Sequence, residues 1–382
     1  MFERDLFSSD HEVFRDSVRK FVADKIVPFH EQWEKDGKID REAWLQAGEH
    51  GLLCATIPEE YGGPSADFLF SAVVLEELAR VGASGPGFSL HSDIVAPYLL
   101  HYASEELKLK WLPKMVTGEA IGAIAMTDPS GGSDLANMKT KAVRDGDEYV
   151  ISGQKVFISN GQLADFIIVA CKTNPDAGAK GVDLIIVEAD RKGFKRGRNL
   201  EKVGWKAQDT SELFFDEVRV PVSNLVGEEG KGFIQLMEQL PQERLLQAIR
   251  CSATIEAALE WTLDYVRERQ AFGKPIGAFQ NTRFKLAEIK SQAVMMRIFV
   301  DHCMAKHVEG KLGANDAAMA KMLSTEMMCD LLDKCLQMFG GYGYMWEYPI
   351  ARAWADGRQS RLAGGTGEIM REIIGRELVG RG

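Results

Sequence analysis

Long apolar runs are missing from this sequence. No stretch approaches the ~18 consecutive apolar residues that a membrane-crossing helix needs, so no transmembrane segment is expected. Cysteine is sparse, six in 382 residues, and Cys54, Cys171, Cys251, Cys303, Cys329 and Cys335 fall at no metal-ligand spacing. A disulfide framework and a zinc site are both unsupported, and the six read as reduced, buried thiols of a cytoplasmic protein. The opening residues, MFERDLFSSDHEVF, alternate charge with apolar side chains and lack the apolar core and small-residue cleavage site of a signal peptide. Basic blocks are missing too: Lys and Arg number 46 against 56 Asp and Glu, a net charge of −10 that argues against a nucleic-acid partner. What remains is 45% hydrophobic and 27% charged, an ordinary globular composition whose length favours two or three domains.

Familiar catalytic signatures are also absent. There is no G-x-x-x-x-G-K-[ST] phosphate loop. There is no G-x-G-x-x-G either, since after Gly341-Tyr-Gly343 a tryptophan, Trp346, stands where the third glycine belongs. No H-E-x-x-H occurs among seven dispersed histidines, and no G-x-S-x-G elbow serves a serine hydrolase. No metal site is expected.

The apolar pattern changes character twice. Residues 1 to about 117 read as helical: Leu75, Leu78 and Val81 form a stripe at helical spacing, Pro58, Gly62, Gly63 and Pro64 mark a loop, and Ser104 stands where a helix cap belongs. From about 120 to 227 short β-branched runs appear, Phe166–Ala170 and Leu184–Val187. Tyr149, Ile151, Val156 and Ile158 fit a hairpin turning at Ser152-Gly153-Gln154. From about 230 the helical pattern returns, with Leu245, Ile249, Leu259, Leu263 and Val266 on one face and Met295, Phe299 and Cys303 on another. The expected class is α+β, mostly α, with an N-terminal α-helical domain (1–119), a middle β-barrel-like domain (120–228) and a C-terminal helical bundle (229–382).

Five segments carry more information. Ala123–Asp134, with Pro129, Gly131 and Gly132, is a backbone-exposing loop, either a plain helix-to-strand turn or a cradle for a polar ring edge or phosphate. Gly153–Asn160 places Phe157 and Ser159 two residues apart, on one face of a strand, as core or as flank to a flat heterocycle. Arg267–Ile276 ends a helix near Ala271 and leaves Arg269 and Phe272, as cap and core or as charge and stacking surface. Gln337–Pro349 packs Gly340, Gly341 and Gly343 into four positions, a plain loop or a close backbone approach to a ligand or another chain. Gly364-Gly-Thr-Gly-Glu368 is a turn feeding the last helix.

In this order the five segments resemble the acyl-CoA dehydrogenase family of flavoproteins, from about residue 5 to 380. The resemblance implies three domains in the order read above, FAD as cofactor, an acyl-CoA thioester as substrate, an electron-transfer flavoprotein as electron acceptor, and a homotetramer whose FAD sites are shared between subunits. It implies that Met126, Thr127, Gly132 and Ser133 line the flavin, with Ser133 also on the substrate side. Phe157 and Ser159 follow on the adjoining strand, and Thr366 and Glu368 lie near the cofactor after the last turn. Arg269, Phe272, Gln280, Gln337, Gly340 and Gly341 match the segments that reach a neighbouring subunit's FAD, where Arg269 would neutralise the pyrophosphate.

The departure lies at the base. Many members carry a glutamate in a Tyr-Glu-Gly-Thr turn; here the turn reads Ala363-Gly-Gly-Thr366, so Gly364 holds that position without a side chain. A minority of the family places the base on a helix of the last domain, and Pro241-Gln-Glu-Arg-Leu-Leu resembles that pattern in the long-chain group, with Glu243 at the base position. The isovaleryl-CoA enzymes use the same helix. By this resemblance Glu243 removes the α-proton, the β-hydrogen leaves as hydride to flavin N5, and backbone N–H groups of the 364 turn hold the thioester oxygen. Read from residues alone, Glu243 fits an exposed or ion-paired first-turn acid better than a base. Arg244 is substrate-side or a buried pairing residue. Readings with the same fold are an oxygen-using oxidase or monooxygenase and an enzyme of carrier-linked thioesters; a different one is an inactive subunit of a mixed oligomer.

Overall fold

The structure, a computed structural model, describes residues 4–380. The first layer is helical: α1 (Ser9–Phe21), α2 (Val27–Asp36), α3 (Arg41–Glu49), α4 (Phe68–Arg80), α5 (Ala96–Tyr102) and α6 (Glu105–Val116). Ser104 caps α6 by accepting the Leu107 N–H at 3.4 Å, and Asp67 caps α4 by accepting that of Leu69 at 2.8 Å. Leu75 and Leu78 are buried, but α4 ends at Arg80, so Val81 falls beyond the stripe and is 39% exposed. A π-helical turn, Leu90–Val95, leads into α5, on which Tyr98 is fully buried.

The middle of the chain forms a curled seven-stranded sheet from β1 (Gly122–Ala125), β2 (Lys141–Asp145), β3 (Glu148–Ser159), β4 (Phe166–Lys172), β5 (Val182–Glu188), β6 (Phe194–Asn199) and β7 (Thr210–Pro221). β4 pairs in parallel with β1 and antiparallel with β5. Both β4 and β5 are buried at every position, which is why their sequences are apolar runs rather than alternations. The hairpin expected at residues 152–154 is not formed. β3 runs straight through these residues and pairs along its length with β7. Gly153, with φ +153°, makes a bulge there instead of a reversal. The actual hairpin joins β2 to β3 around Gly146, whose φ of +63° suits a tight turn.

The last segment begins with α7 (Gly232–Glu268), about 55 Å long at 1.5 Å per residue. A two-residue ribbon pair follows, β8 (Gln270–Ala271) and β9 (Lys274–Pro275). Then come α8 (Gln280–Val308), α9 (Ala314–Phe339), α10 (Pro349–Ser360) and α11 (Gly367–Val379). Leu245, Ile249, Leu259 and Val266 are buried on α7 and Leu263 is half-buried. On α8, Cys303 is buried but Met295 is 58% exposed. Steps of four drift by about 40° each, so Met295 leaves the face that Ile289, Ala293, Met296 and Val300 bury.

The layers are tied by polar groups as well as by core. Glu76 of α4 lies among Arg4, Arg15 and Arg297 at 2.9, 2.9 and 2.7 Å. Burial raises its pKa, but these cations prevail and hold it at about 2. Trp205, before β7, donates its indole N–H to the Asp356 carbonyl of α10 at 3.0 Å and docks the sheet on the bundle. All six cysteines are free; five are buried and Cys329 is half-buried. Among the described residues no helix is long and apolar enough to cross a membrane.

Candidate active site

Glu243 sits two residues after Pro241, inside α7, and faces inward at 9% exposure. The missing N–H of Pro241 releases one helical hydrogen bond just ahead of it. Tyr98, from α5, donates its hydroxyl to Glu243 Oε1 at 3.0 Å. No cation lies within ion-pair distance of the carboxylate among the described residues. Burial therefore dominates and lifts its pKa to about 7, although the Tyr98 hydrogen bond and the Arg244 charge pull the other way. A carboxylate so poised accepts a proton at neutral pH without being fully quenched by a partner.

The glycine turn lies on the other side of Arg244. This side chain is buried, pairs with no carboxylate among the described residues, and directs Nε to the Gly364 carbonyl at 3.4 Å. Lys321 of α9 is fully buried and donates Nζ to the Gly365 carbonyl at 2.5 Å. Two cations thus grip successive carbonyls of one turn. Burial lowers the Lys321 pKa to about 8. Gly364 has φ +68°, and a Cβ built there would meet nothing within 4 Å. Thr366 caps α11 by accepting the Ile369 N–H at 3.4 Å, and Glu368 is exposed in the first turn of that helix.

A second cluster belongs to the sheet. Met126 and Thr127 are half-buried where the loop leaves β1, and Gly132 and Ser133 are exposed further along it. The loop is fastened to β3, because the Val156 N–H reaches the Thr127 carbonyl at 3.0 Å and Lys155 Nζ reaches that of Met126 at 2.8 Å. Lys155 also pairs with Asp128 at 2.6 Å, and both side chains are buried. Beside this anchor, Phe157 adopts φ +62° and stands 68% exposed, and Ser159 is half-buried. A left-handed phenylalanine with its ring in the open is a strained arrangement of the kind found at binding sites. The register shift between Lys155 and Ile158 breaks strict alternation here, so a common face for Phe157 and Ser159 rests on a bulge rather than on a regular strand.

A third cluster surrounds an open cavity of about 540 Å³ between the end of α7 and the end of α9. Arg269, Gln337, Gly340 and Gly341 line it together with Tyr265 and Tyr342. The Arg269 guanidinium lies 5.6 Å from the Tyr342 ring centre. Phe272 and Gln280 do not line this cavity. Phe272 is 95% exposed at the tip of the β8–β9 ribbon, and Gln280 is exposed at the start of α8. Among the described residues no group of histidine, cysteine, aspartate or glutamate is arranged to hold a metal ion.

Tyr98, Lys321 and the Asp128–Lys155 pair were not singled out in the sequence. Lys155 carried a weak signal, a lysine in the same odd-numbered register as Tyr149 and Ile151. Tyr98 carried none.

A helical layer, a middle sheet and a helical bundle, with a buried carboxylate at Glu243 and a glycine turn held by its neighbour Arg244, define a class of three-domain protein, and comparison gives its family. Residues 8–119 match the acyl-CoA dehydrogenase N-terminal domain, 123–218 the middle domain and 230–379 the C-terminal domain. The chain is 48% identical over 378 residues to the mitochondrial long-chain specific acyl-CoA dehydrogenase of Rattus norvegicus, covering 98% of this chain and 88% of that protein. It superposes on the crystal structure of an acyl-CoA dehydrogenase from Geobacillus kaustophilus with a TM-score of 0.97 at 49% identity, covering 99% and 100% of the two chains. A glutaryl-CoA dehydrogenase from Mycobacterium smegmatis, solved in complex with FADH2, gives a TM-score of 0.91 at 27% identity over 98% of this chain and 96% of that one. The chain belongs to the acyl-CoA dehydrogenase family, an oxidoreductase family.

Proposed function

We propose that this protein is an FAD-dependent dehydrogenase that converts a long-chain or branched acyl-CoA to its trans-2-enoyl thioester, with Glu243 as the base. The observation that carries the reading is the buried Glu243 carboxyl, lifted to about pKa 7, combined with a side-chain-free position 364 that opens onto space. The 48% identity to a long-chain specific enzyme supports the chain-length class.

The residues present fit the cofactor. The cavity holding Arg269, Gln337, Gly340 and Gly341 joins a cation to approachable backbone, since a Cβ at Gly341 would meet nothing within 4 Å. That combination suits a pyrophosphate. Met126, Thr127, Gly132, Ser133, Phe157, Ser159, Thr366 and Glu368 are the residues we assign to the flavin side. Phe272 and Gln280, exposed on a single chain, are assigned to the FAD of a neighbouring subunit in a homotetramer. When bound, FAD supplies the acceptor for the β-hydrogen as hydride.

The chain's own part is the other half of the chemistry. An α-proton beside a thioester is too weakly acidic for an ordinary carboxylate, so the base must be strengthened and the developing enolate stabilised. Burial strengthens Glu243. The 364 turn offers backbone N–H groups to the thioester oxygen, and Arg244 and Lys321 fix the turn through its carbonyls, which is how we place Arg244 on the substrate side. The α-proton moves to the Glu243 carboxylate and its electron pair becomes the new C=C bond. We divide the chain at 119/120 and 228/229, place the protein in the cytoplasm, and assign an electron-transfer flavoprotein as acceptor. Anaerobic titration of the yellow protein with acyl-CoAs of graded length and branching tests the proposal. Bleaching by long or branched thioesters supports it; bleaching by none, or turnover that consumes oxygen, contradicts it.

A further inference from the structure

Glu243 receives one hydrogen bond from a side chain among the described residues, the Tyr98 hydroxyl at 3.0 Å on Oε1. Tyr98 is fully buried. Its helix α5 and the π-helical turn before it are bonded to α7 on both sides of this contact. Gln242 Nε2 reaches the Asp93 carbonyl at 2.6 Å, the Tyr102 hydroxyl reaches Glu238 at 2.8 Å, and Gln239 Nε2 reaches that hydroxyl at 3.0 Å. These bonds hold the backbone that carries the phenol against α7.

We propose that Tyr98 is the positioning residue of the base: it pins Oε1, and so leaves Oε2 as the atom that takes the α-proton. This rests on the reading of Glu243 as the base. The bond also sets when the base is available. A donor to a carboxylate favours its charged form, whereas burial favours the neutral one. Both act on Glu243, and the result lies near neutrality. Tyr98 itself stays protonated, because burial and the facing Glu243 raise its pKa well above the ordinary phenol value. The ionisable groups around the pair are Asp93 in the π-helical turn before α5, His101 and Tyr102 on α5, Glu238 and Arg244 on α7 and Lys321 on α9; Glu238 accepts from the Tyr102 hydroxyl. His101 is bonded to Gln239, and Arg244 and Lys321 are directed to the glycine turn.

The test uses the full-length FAD-loaded protein as wild type, Tyr98→Phe and Glu243→Gln. Phenylalanine keeps the ring and removes only the donor. Tyr98→Phe is expected to retain FAD, and the acid limb of its kcat–pH profile is expected to move up by about one pH unit, the size of one hydrogen bond to a charged group. Turnover at pH 6.5 then falls ~10-fold and recovers toward the wild-type plateau at alkaline pH. Infrared difference titration of the carboxyl band, with Glu243→Gln as the blank, is expected to show the same upward shift independently of turnover. An acid limb and a carboxyl midpoint both unmoved in Tyr98→Phe, with Glu243→Gln inactive, overturn the role of Tyr98 alone. A lower melting temperature with an unmoved limb does the same, since it marks a merely structural residue. A fully active Glu243→Gln overturns the base and this proposal together.

Discussion

Replacing Lys155 by methionine should loosen the loop that follows β1 without unfolding the sheet. The ammonium lies 2.6 Å from Asp128 and 2.8 Å from the Met126 carbonyl, with both side chains of the pair buried. Removing one partner of a buried pair costs about 3–5 kcal/mol, because the survivor is left charged in a poor solvent. Asp128 keeps three donors, the Lys139 N–H, the Thr140 N–H at 2.8 Å and the Thr140 hydroxyl at 3.0 Å, which puts the cost near the lower end, about 3 kcal/mol. That corresponds to a ~100-fold increase in local opening. Amide hydrogen exchange measures it: Thr140 and Val156, whose N–H groups bond to Asp128 and Thr127, should exchange ~100-fold faster, while β4 and β5 stay protected. The effect should shrink in acid. Burial raises the pKa of Asp128, but the Lys155 charge and hydrogen bonds outweigh it and hold the carboxyl below its usual range. Without Lys155 the carboxyl protonates more readily and sheds its penalty as pH falls. The double variant Lys155→Met/Asp128→Asn should recover most of the loss, since neither charge remains. Unchanged exchange at Thr140 and Val156, or a double variant no better than the single one, would refute the argument.

Two further outcomes follow from the Glu243 site. Its folded pKa of about 7 lies above the ordinary carboxylate value, so its contribution to stability is complete below about pH 4.5 and is lost as pH rises through 7. Thermal melting of Glu243→Gln should therefore match wild type near pH 4.5 and exceed it by the equivalent of about 3 kcal/mol at pH 8; equal melting at both pH values contradicts the shift. Gly364 opens onto space at φ +68°, so a glutamate there meets no clash and carries a backbone penalty of about 1 kcal/mol. In the Glu243→Gly background, Gly364→Glu should restore part of the turnover, and FAD-loaded protein with none restored counts against the shared geometry.

The sequence revealed what is local in the chain. Ser104 reads as a cap because capping needs one side chain and the next turn, and β4 and β5 read as buried strands because both faces must be apolar. Arg269, Gln337, Gly340 and Gly341 were singled out in two separate segments, and folding brings them to one cavity. What stayed hidden depends on contacts between distant segments. Tyr98 and Glu243 are 145 residues apart, and no periodicity links a tyrosine on a short helix to a glutamate on a long one. The 152–154 hairpin was misplaced because glycine serves a bulge and a turn equally well, and only pairing with β7 decides between them. Met295 was placed on a packed face because a four-residue step looks helical over two turns while rotating away from the core.

The most direct test of the central claim is α-proton exchange. Wild type and Glu243→Gln, both carrying FAD, are incubated in deuterated buffer with a long-chain acyl-CoA analogue whose β-position cannot be oxidised, and deuterium at the α-carbon is followed by mass spectrometry. The account predicts rapid exchange in wild type, rising through pH 7, and loss of nearly all of it in Glu243→Gln with the flavin spectrum unchanged. Exchange at the wild-type rate in Glu243→Gln would show that another group removes the proton.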